Sequence, residues 1–220
     1  MKNKEIKRNL IIDSAEELFF TKGYRATSMD QIAQKAEVAK GTLYLYFNNK
    51  KELYYAVGNR AMDCLKEMFI EESKAATDGL ERLTSYAKAF LNFRVKYPDY
   101  YDFIIDYQSE RYKLHKQGKE ITATYADSAQ LFKMIINSIK EGQADGSIKI
   151  NMEPERLASV LWCEICGVAQ LADFREQFFF QFSKNITAEN IREEFVTLTG
   201  LYMRNGIANS QETVPNKTSG

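Results

Sequence analysis

The chain holds one histidine, three cysteines, three prolines and one tryptophan in 220 residues. Each scarcity closes off a class of chemistry. With His115 as the sole imidazole, a Ser-His-Asp or Cys-His engine would have to use it, yet it stands in the polar run KLHKQGK with no nucleophile-elbow motif in the chain. Cys163 and Cys166 form one CxxC, and Cys64 is too remote in sequence to complete a second pair, so no zinc set is spelled out. Neither a GxGxxG turn nor a P-loop is present to cradle a phosphate. No convergent catalytic set emerges, and neither a cofactor nor a metal is expected. No stretch approaches the ~20 apolar residues that span a bilayer. The start, MKNKEIKRNL, is charged and is not followed by a small-residue cleavage site, which leads to the expectation of a cytoplasmic protein without membrane partners. No Val/Ile/Thr alternation suggests a sheet, and no internal repeat is visible.

Charge is balanced overall, at thirty Lys/Arg against thirty Asp/Glu. It is not evenly spread. Residues 1–55 carry ten basic and seven acidic groups, a balance of +3, and the remainder twenty and twenty-three, a balance of −3. A polyanion would therefore meet the N-terminal part more readily. Lys2, Lys4, Lys7, Arg8, Lys40, Lys50 and Lys51 are the cations whose local placement would matter.

What is abundant is helical signal, so the expected fold is all-α. Periodicity predicts a first helix over about Lys4–Lys22 with Ile11, Ala15, Leu18 and Phe19 inward and Gly23 as its stop. Further helices are expected over about Lys50–Glu72, Leu80–Lys96, Pro98–Arg111, Ile121–Glu141, Pro154–Phe174 and Ala188–Asn205. Pro98 and Pro154 mark boundaries, and Thr187 is the cap of the last helix with Asn190 in its first turn. Gly142–Met152 reads as a turn. The run REQFFFQFSKNI over 175–186 has no clear assignment, extending its helix or forming a packed loop. Residues 208–220 are polar without periodicity and read as a disordered tail.

The most informative stretch is Thr27–Leu53, TSMDQIAQKAEVAKGTLYLYFNNKKEL. Thr27 with Asp30 suggests a cap and capping box, and Ile32, Ala33 and Ala36 share one helical face. Val38 would pin the turn. Leu43 and Phe47, four apart, face a common core and leave Thr42, Tyr44, Leu45 and Tyr46 as outward neighbours. Asn49 caps the next helix with Glu52 at its third position. Lys50 and Lys51 fall in that helix's first turn, where cations oppose the helix dipole unless a phosphate is bound nearby; a solvated basic face is the plainer alternative. Two short helices joined by a tight turn form a helix-turn-helix, which sets its second helix in the DNA major groove. The residues expected to contact DNA are Lys40, Gly41, Thr42, Tyr44, Tyr46 and Lys50, with Tyr44 and Lys50 on phosphates and Lys40 and Thr42 toward bases.

Over about Leu10–Val57, and above all in KGTLYLYF with the Asn/Lys-rich helix start after it, the chain resembles the TetR family of bacterial transcriptional regulators. The resemblance implies a three-helix DNA-binding domain at 1–49 and a helical effector-binding and dimerisation domain at 50–207. It also implies a homodimer bound to a double-stranded operator and usually released by a small molecule. Two residues depart from the family's habit. Glu37 stands where the turn often has Gly, so it needs a left-handed backbone costing roughly 1–2 kcal/mol. Ala39 stands where Ser or Thr often opens the recognition helix, and it offers no capping oxygen.

The larger C-terminal part is rich in aromatics, and an aromatic stripe at helical spacing commonly serves only as core. Tyrosine hydroxyls, however, suit a cavity edge. Phe93, Tyr97, Tyr101, Tyr107, Tyr125 and Trp162 are therefore the expected effector contacts, for a largely apolar or aromatic ligand. Asp102, Asp106 or Glu164 would favour a lipophilic cation if any of them faced the pocket. Leu157, Val160, Leu161, Val168, Phe195, Leu198 and Tyr202 are dimer-face candidates; completing the monomer core is the alternative. Cys163 and Cys166 read as small buried hydrophobes, with redox sensing as the other reading. The leading function is a ligand-released repressor. A DNA-binding regulator with its cavity filled by its own side chains, and a helical enzyme with a vestigial helix-turn-helix, are the alternatives.

Overall fold

The computed structural model describes residues 2–106, 125–179 and 186–206, with side chains described over 3–106, 129–172 and 186–206. Among these residues the regular structure is entirely helical. The helices are α1 (Lys2–Ala26), α2 (Met29–Lys35), α3 (Lys40–Tyr46), α4 (Lys50–Glu72), α5 (Gly79–Lys96), α6 (98–106), α7 (Tyr125–Asp145), α8 (Pro154–Phe179) and α9 (Ala188–Asn205). The expected stop at Gly23 appears as a break inside α1, with φ 79° and ψ 160°, a conformation that glycine adopts without a Cβ clash. The polar tail expected at 208–220, and Tyr107, lie outside the described residues.

The chain forms two compact units, Met1–Glu67 with Phe93–Ala129, and Met68–Asn92 with Gln130–Gly220. In the first, Ile11, Ala15, Leu18 and Phe19 of α1 are buried, as their spacing requires, against Ile32, Ala33 and Ala36, then Leu43 and Phe47, and finally Leu53 and Val57. Each of the leucine, isoleucine, valine and phenylalanine side chains contributes roughly 1.5–3 kcal/mol by leaving water, and each alanine methyl about 0.8 kcal/mol. Phe103 of α6 joins this core, 4.4 Å from the ring of Tyr54. The compact unit is therefore larger than the functional segment 1–49 read from local pattern, because α4 and α6 supply part of its core.

A polar clip also belongs to this unit. The Arg60 guanidinium donates to Asp13 Oδ1 at 2.6 Å and Glu16 Oε2 at 3.0 Å. The Tyr100 hydroxyl donates to the same Glu16 oxygen at 3.0 Å. Burial and the Glu16 charge hold the Tyr100 phenol well above its ordinary pKa.

In the second unit the start of α5 meets the end of α7. A Cβ on Gly79 would collide with the backbone of Gly142, so Gly79 permits a close helix approach, while a Cβ on Gly142 would collide with the Ile148 side chain that folds back over it. Asp145 Oδ2 accepts from Gly79 N at 2.9 Å and Ser147 Oγ from Leu80 N at 3.1 Å, supplying partners to two of the first amides of α5. Gly142, expected in a turn, lies within α7, and the chain reverses only at Gly146 (φ 80°). α8 extends beyond the expected Phe174 to Phe179, which settles the first part of the unassigned aromatic run as helix. It packs on α9, burying Leu157, Leu161 and Ile165 with Val196 and Met203. Val160, Leu171, Leu198, Leu201 and Tyr202 remain exposed on the same two helices. Of the dimer-face candidates, then, Leu157 and Leu161 complete the monomer core, Val168 and Phe195 are half-buried, and Val160, Leu198 and Tyr202 face outward.

Candidate nucleic-acid interface

α2 opens on Ser28, not on the expected Thr27. Ser28 Oγ accepts from Gln31 N at 3.2 Å, and Gln31 Oε1 accepts from Ser28 N at 2.8 Å, a complete capping box. Thr27 is buried and spends its hydroxyl on the end of α1, donating to Gly23 O at 2.9 Å and Leu18 O at 3.2 Å. Asp30 reaches instead to the next helix, 2.6 Å from Lys40 Nζ. That ion pair, led by the hydrogen bond, raises the Lys40 pKa, but both side chains are solvated and the pair can exchange with another anion.

The turn contains the left-handed residue expected from sequence. Glu37 has φ 52°, the only positive-φ residue other than glycine among those described. Val38 N donates to Ala33 O at 3.0 Å and closes the turn. Ala39 then begins α3 with no side-chain cap, as its methyl dictates. Leu43 is fully buried and Phe47 nearly so, which fixes the roll of α3 on its support. Gly41 and Tyr44 are exposed and Thr42 is half-buried, while Tyr46 packs partly against the core. Leu45, not counted among the expected contacts, is 82% exposed.

α4 begins with the expected Asn49 cap, whose Oδ1 accepts from Glu52 N at 3.0 Å. The return contact differs by one residue. The Glu52 carboxylate accepts from Asn48 N and Asn48 Nδ2, both at 2.9 Å, and these hydrogen bonds hold it below the usual carboxylate range. Lys50, expected to reach outward, turns inward. Its Nζ donates to Tyr24 O and Thr27 O, both at 2.6 Å, and lies 4.3 Å from the centre of the Tyr24 ring. Burial pulls its pKa down. The carbonyls at the end of α1 attract this cation, a pairing separated by more than twenty residues and invisible to local pattern. Lys51 is exposed beside Tyr55, and Arg8 lies 5.2 Å from the centre of the Phe47 ring, at the end of α3. The result is a short helix with Gly41, Tyr44 and Leu45 exposed and with cations on neighbouring elements, held on a rigid apolar base.

The residues expected around an effector divide between the two units. Trp162 lines an apolar cavity of about 40 Å³ in the second unit, with Phe69, Tyr86, Phe90, Ile135 and Phe195. The Phe90 ring lies 5.0 Å from Trp162, and Phe69 stacks on Tyr86 at 4.8 Å. Phe93 and Tyr101 are buried in the first unit, and Tyr97 is half-buried there beside Phe93. The side chain of Tyr125 lies outside those described. Asp102, Asp106 and Glu164 are exposed, and among the described residues no acidic side chain lines the cavity. The cysteines also depart from expectation: Cys163 is exposed, and Cys166 is half-buried with its thiol pushed up to about 12 by burial and its neighbour. Helical spacing of three turns the two thiols by about 60°, enough to put one on each side of the buried edge.

Comparison with known proteins agrees with this geometry. Residues 11–57 match the family described as bacterial regulatory proteins, tetR family. The HTH-type transcriptional activator FasR of Mycolicibacterium smegmatis is 32% identical over 119 residues, 54% of this chain and 49% of that protein. The HTH-type transcriptional regulator QacR of Staphylococcus aureus is 26% identical over 144 residues, 66% of this chain and 74% of QacR. The chain spans about half the length of the first of these curated relatives. The crystal structure of AibR in complex with isovaleryl coenzyme A and operator DNA superposes with a TM-score of 0.61 at 20% identity, over 87% of this chain and 97% of AibR. FasR and QacR are both named as HTH-type transcription regulators. A helix-turn-helix seated on the α1 and α4 core, within a segment that carries the family's N-terminal pattern, identifies residues 11–57 as an N-terminal domain of the TetR family of bacterial regulatory proteins.

Proposed function

We propose that the protein is a sequence-specific transcriptional regulator that binds an operator as a homodimer in the cytoplasm and releases it when an apolar effector binds the second unit. The observation that carries the DNA part is α3, whose buried Leu43 and Phe47 leave Gly41, Tyr44 and Leu45 outward. Lys40, Gly41, Thr42, Tyr44 and Tyr46 contact DNA in this reading. Lys50 contributes by holding the end of α1, so phosphate neutralisation falls to Lys40, Lys51 and Arg8. Two recognition helices would lie in successive major grooves, about 34–36 Å apart or a multiple. A mobility-shift assay on the DNA flanking its own gene tests this. A sequence preference at moderate salt supports it, and equal binding to all duplexes rejects it.

The effector part rests on the cavity at Trp162. Its walls are aromatic and aliphatic, but about 40 Å³ is far below the roughly 300–1,000 Å³ of ligand sites. A ligand must therefore part Phe90, Trp162 and Phe195, and its binding favours the conformer in which they are apart. That AibR, of similar fold, has been crystallised with an acyl coenzyme A supports an apolar acyl group as the first ligand to try. Because Trp162 is the only tryptophan, its fluorescence reports directly on this cavity. The competing reading, a regulator without an effector, draws on the same small volume, and would be favoured if DNA binding proved indifferent to every apolar compound tried. Repression is the proposed sign. FasR is named an activator, so a reporter fused to the operator must decide it.

A further inference from the structure

We infer that Leu45 and Gly41 form an apolar strip that reads thymine C5-methyl groups in the major groove, a specificity device beyond the polar contacts assigned above. The inference rests on the proposed DNA-binding reading. Leu45 is the most exposed large hydrophobic among the described residues, at 82%. A single exposed leucine is ordinary in itself. Its placement here is not. Gly41 and Leu45 are four apart in α3, so they lie one above the other. By helical register this line is opposite buried Leu43, at the centre of the outward face, flanked by Thr42 and Tyr44.

Gly41 supplies an independent observation. A Cβ built there meets nothing within 4 Å, and its backbone is ordinary right-handed helix. Neither packing nor backbone strain within the protein calls for glycine at this position, while glycine weakens a helix relative to alanine. An external surface that approaches the backbone closely accounts for it. The floor of a major groove is such a surface, and close approach there brings Leu45 against base edges. Those edges carry one apolar group, the thymine methyl. Lys40 on the same helix, with Lys51 and Arg8 on neighbouring elements, supplies cations suited to the flanking phosphates. A protein partner is the less fitting occupant, because a seven-residue helix offers too little area for a stable protein contact.

The test uses the full chain and an operator selected from random duplexes. Failure to select any preferred sequence defeats the underlying DNA-binding reading. With an operator in hand, each thymine is replaced in turn by deoxyuridine, which removes the methyl and keeps every hydrogen-bonding group. Affinity is expected to fall about three- to fivefold at one or two positions per half-site, the value of one buried methyl. Leu45→Ala should bind the thymine operator correspondingly less tightly and become indifferent to deoxyuridine at those positions. Gly41→Ala should weaken binding at least tenfold without loss of helix content. Equal wild-type affinity for thymine and deoxyuridine operators overturns the inference, as does a Leu45→Ala protein that remains sensitive. Normal binding by Gly41→Ala removes the close approach on which it depends.

Discussion

The ammonium of Lys50 lies 2.6 Å from the main-chain oxygen of Thr27. The same nitrogen reaches Tyr24 O at 2.6 Å, so the first residue of α4 holds the end of α1, and the α2 cap that follows it, in place. Two of the three ammonium N–H groups are committed to these carbonyls and Arg25 O lies 3.5 Å from the same nitrogen, which leaves little donor capacity for a phosphate. Lys50→Met is therefore expected to lower the unfolding temperature while leaving the salt dependence of DNA affinity almost unchanged. Lys51→Ala should do the reverse, reducing the slope of log affinity against log salt by about 0.9 for one lost phosphate contact. Titrations at several salt concentrations check both. A Lys50→Met slope reduced as much as that of Lys51→Ala would return Lys50 to the phosphate.

Glu37 holds a left-handed backbone at φ 52° in the turn between α2 and α3. Glycine removes the Cβ conflict, offset by its greater freedom in the unfolded chain. Glu37→Gly should stabilise the protein by up to about 1 kcal/mol, read from urea unfolding of the full chain. A destabilised variant would mean that the Glu37 side chain supplies a contact larger than the strain.

These two residues show why local pattern carried the motif and lost its attachments. Leu43 and Phe47 are four apart and seat α3 as their spacing requires. Asn49 caps α4, and Thr187 accepts from Asn190 N at 3.1 Å to cap α9. Each involves neighbours within one helical turn. Thr27 and Ser28 are adjacent hydroxyl residues, either able to cap α2. The choice was made by Leu18 and Gly23, whose carbonyls take Thr27 from α1. Lys50 was likewise claimed by Tyr24. The effector aromatics divided for a similar reason. Phe93 and Phe90 are one turn apart on α5, yet Phe93 is packed in the first unit and Phe90 lies against Trp162 in the second. Register tells which face a side chain shares, not which core that face enters.

Glu52 links acidity to the start of α4. Its carboxylate is held below the usual range by two hydrogen bonds from Asn48. A depressed carboxylate stabilises the fold above its unfolded pKa, and that stability is lost as pH falls through the folded value. Glu52→Gln should melt at a lower temperature than the wild type near neutral pH. The gap should begin to close as pH falls through the ordinary carboxylate value of about 4.3 and vanish below the depressed folded value. A gap independent of pH would mean that charge plays no part and only the amide-compatible geometry matters.

The single tryptophan makes the cavity directly observable. Entry of an apolar acyl ligand between Trp162 and Phe90 should change Trp162 emission over the same concentrations that release DNA. Phe90→Ala deletes one wall at a cost of about 3–5 kcal/mol if the cavity does not collapse, and should shift the ligand concentration needed for both effects together. Release of DNA with unchanged Trp162 emission would place the effector elsewhere.

Leu198 and Tyr202 lie four apart on α9, 65% and 50% exposed, beside Val160 of α8. Apolar groups placed on two adjoining helices are costly to leave in water, and a second copy related by a twofold axis can cover them with the same surface. Burying roughly 1,200–2,000 Å² in total is enough for a stable interface. Because each subunit would supply one recognition helix, loss of pairing also loses the second half-site. Leu198→Glu puts a carboxylate from each subunit into that face and leaves the monomer core intact, since the side chain is already solvated. The variant should sediment as a folded monomer with unchanged helix content. Its affinity for a two-half-site operator should fall by at least a hundredfold, while a single half-site binds it as weakly as it binds the wild type. A variant that remains dimeric would move the interface off α9, and a monomer that kept full operator affinity would detach DNA recognition from pairing.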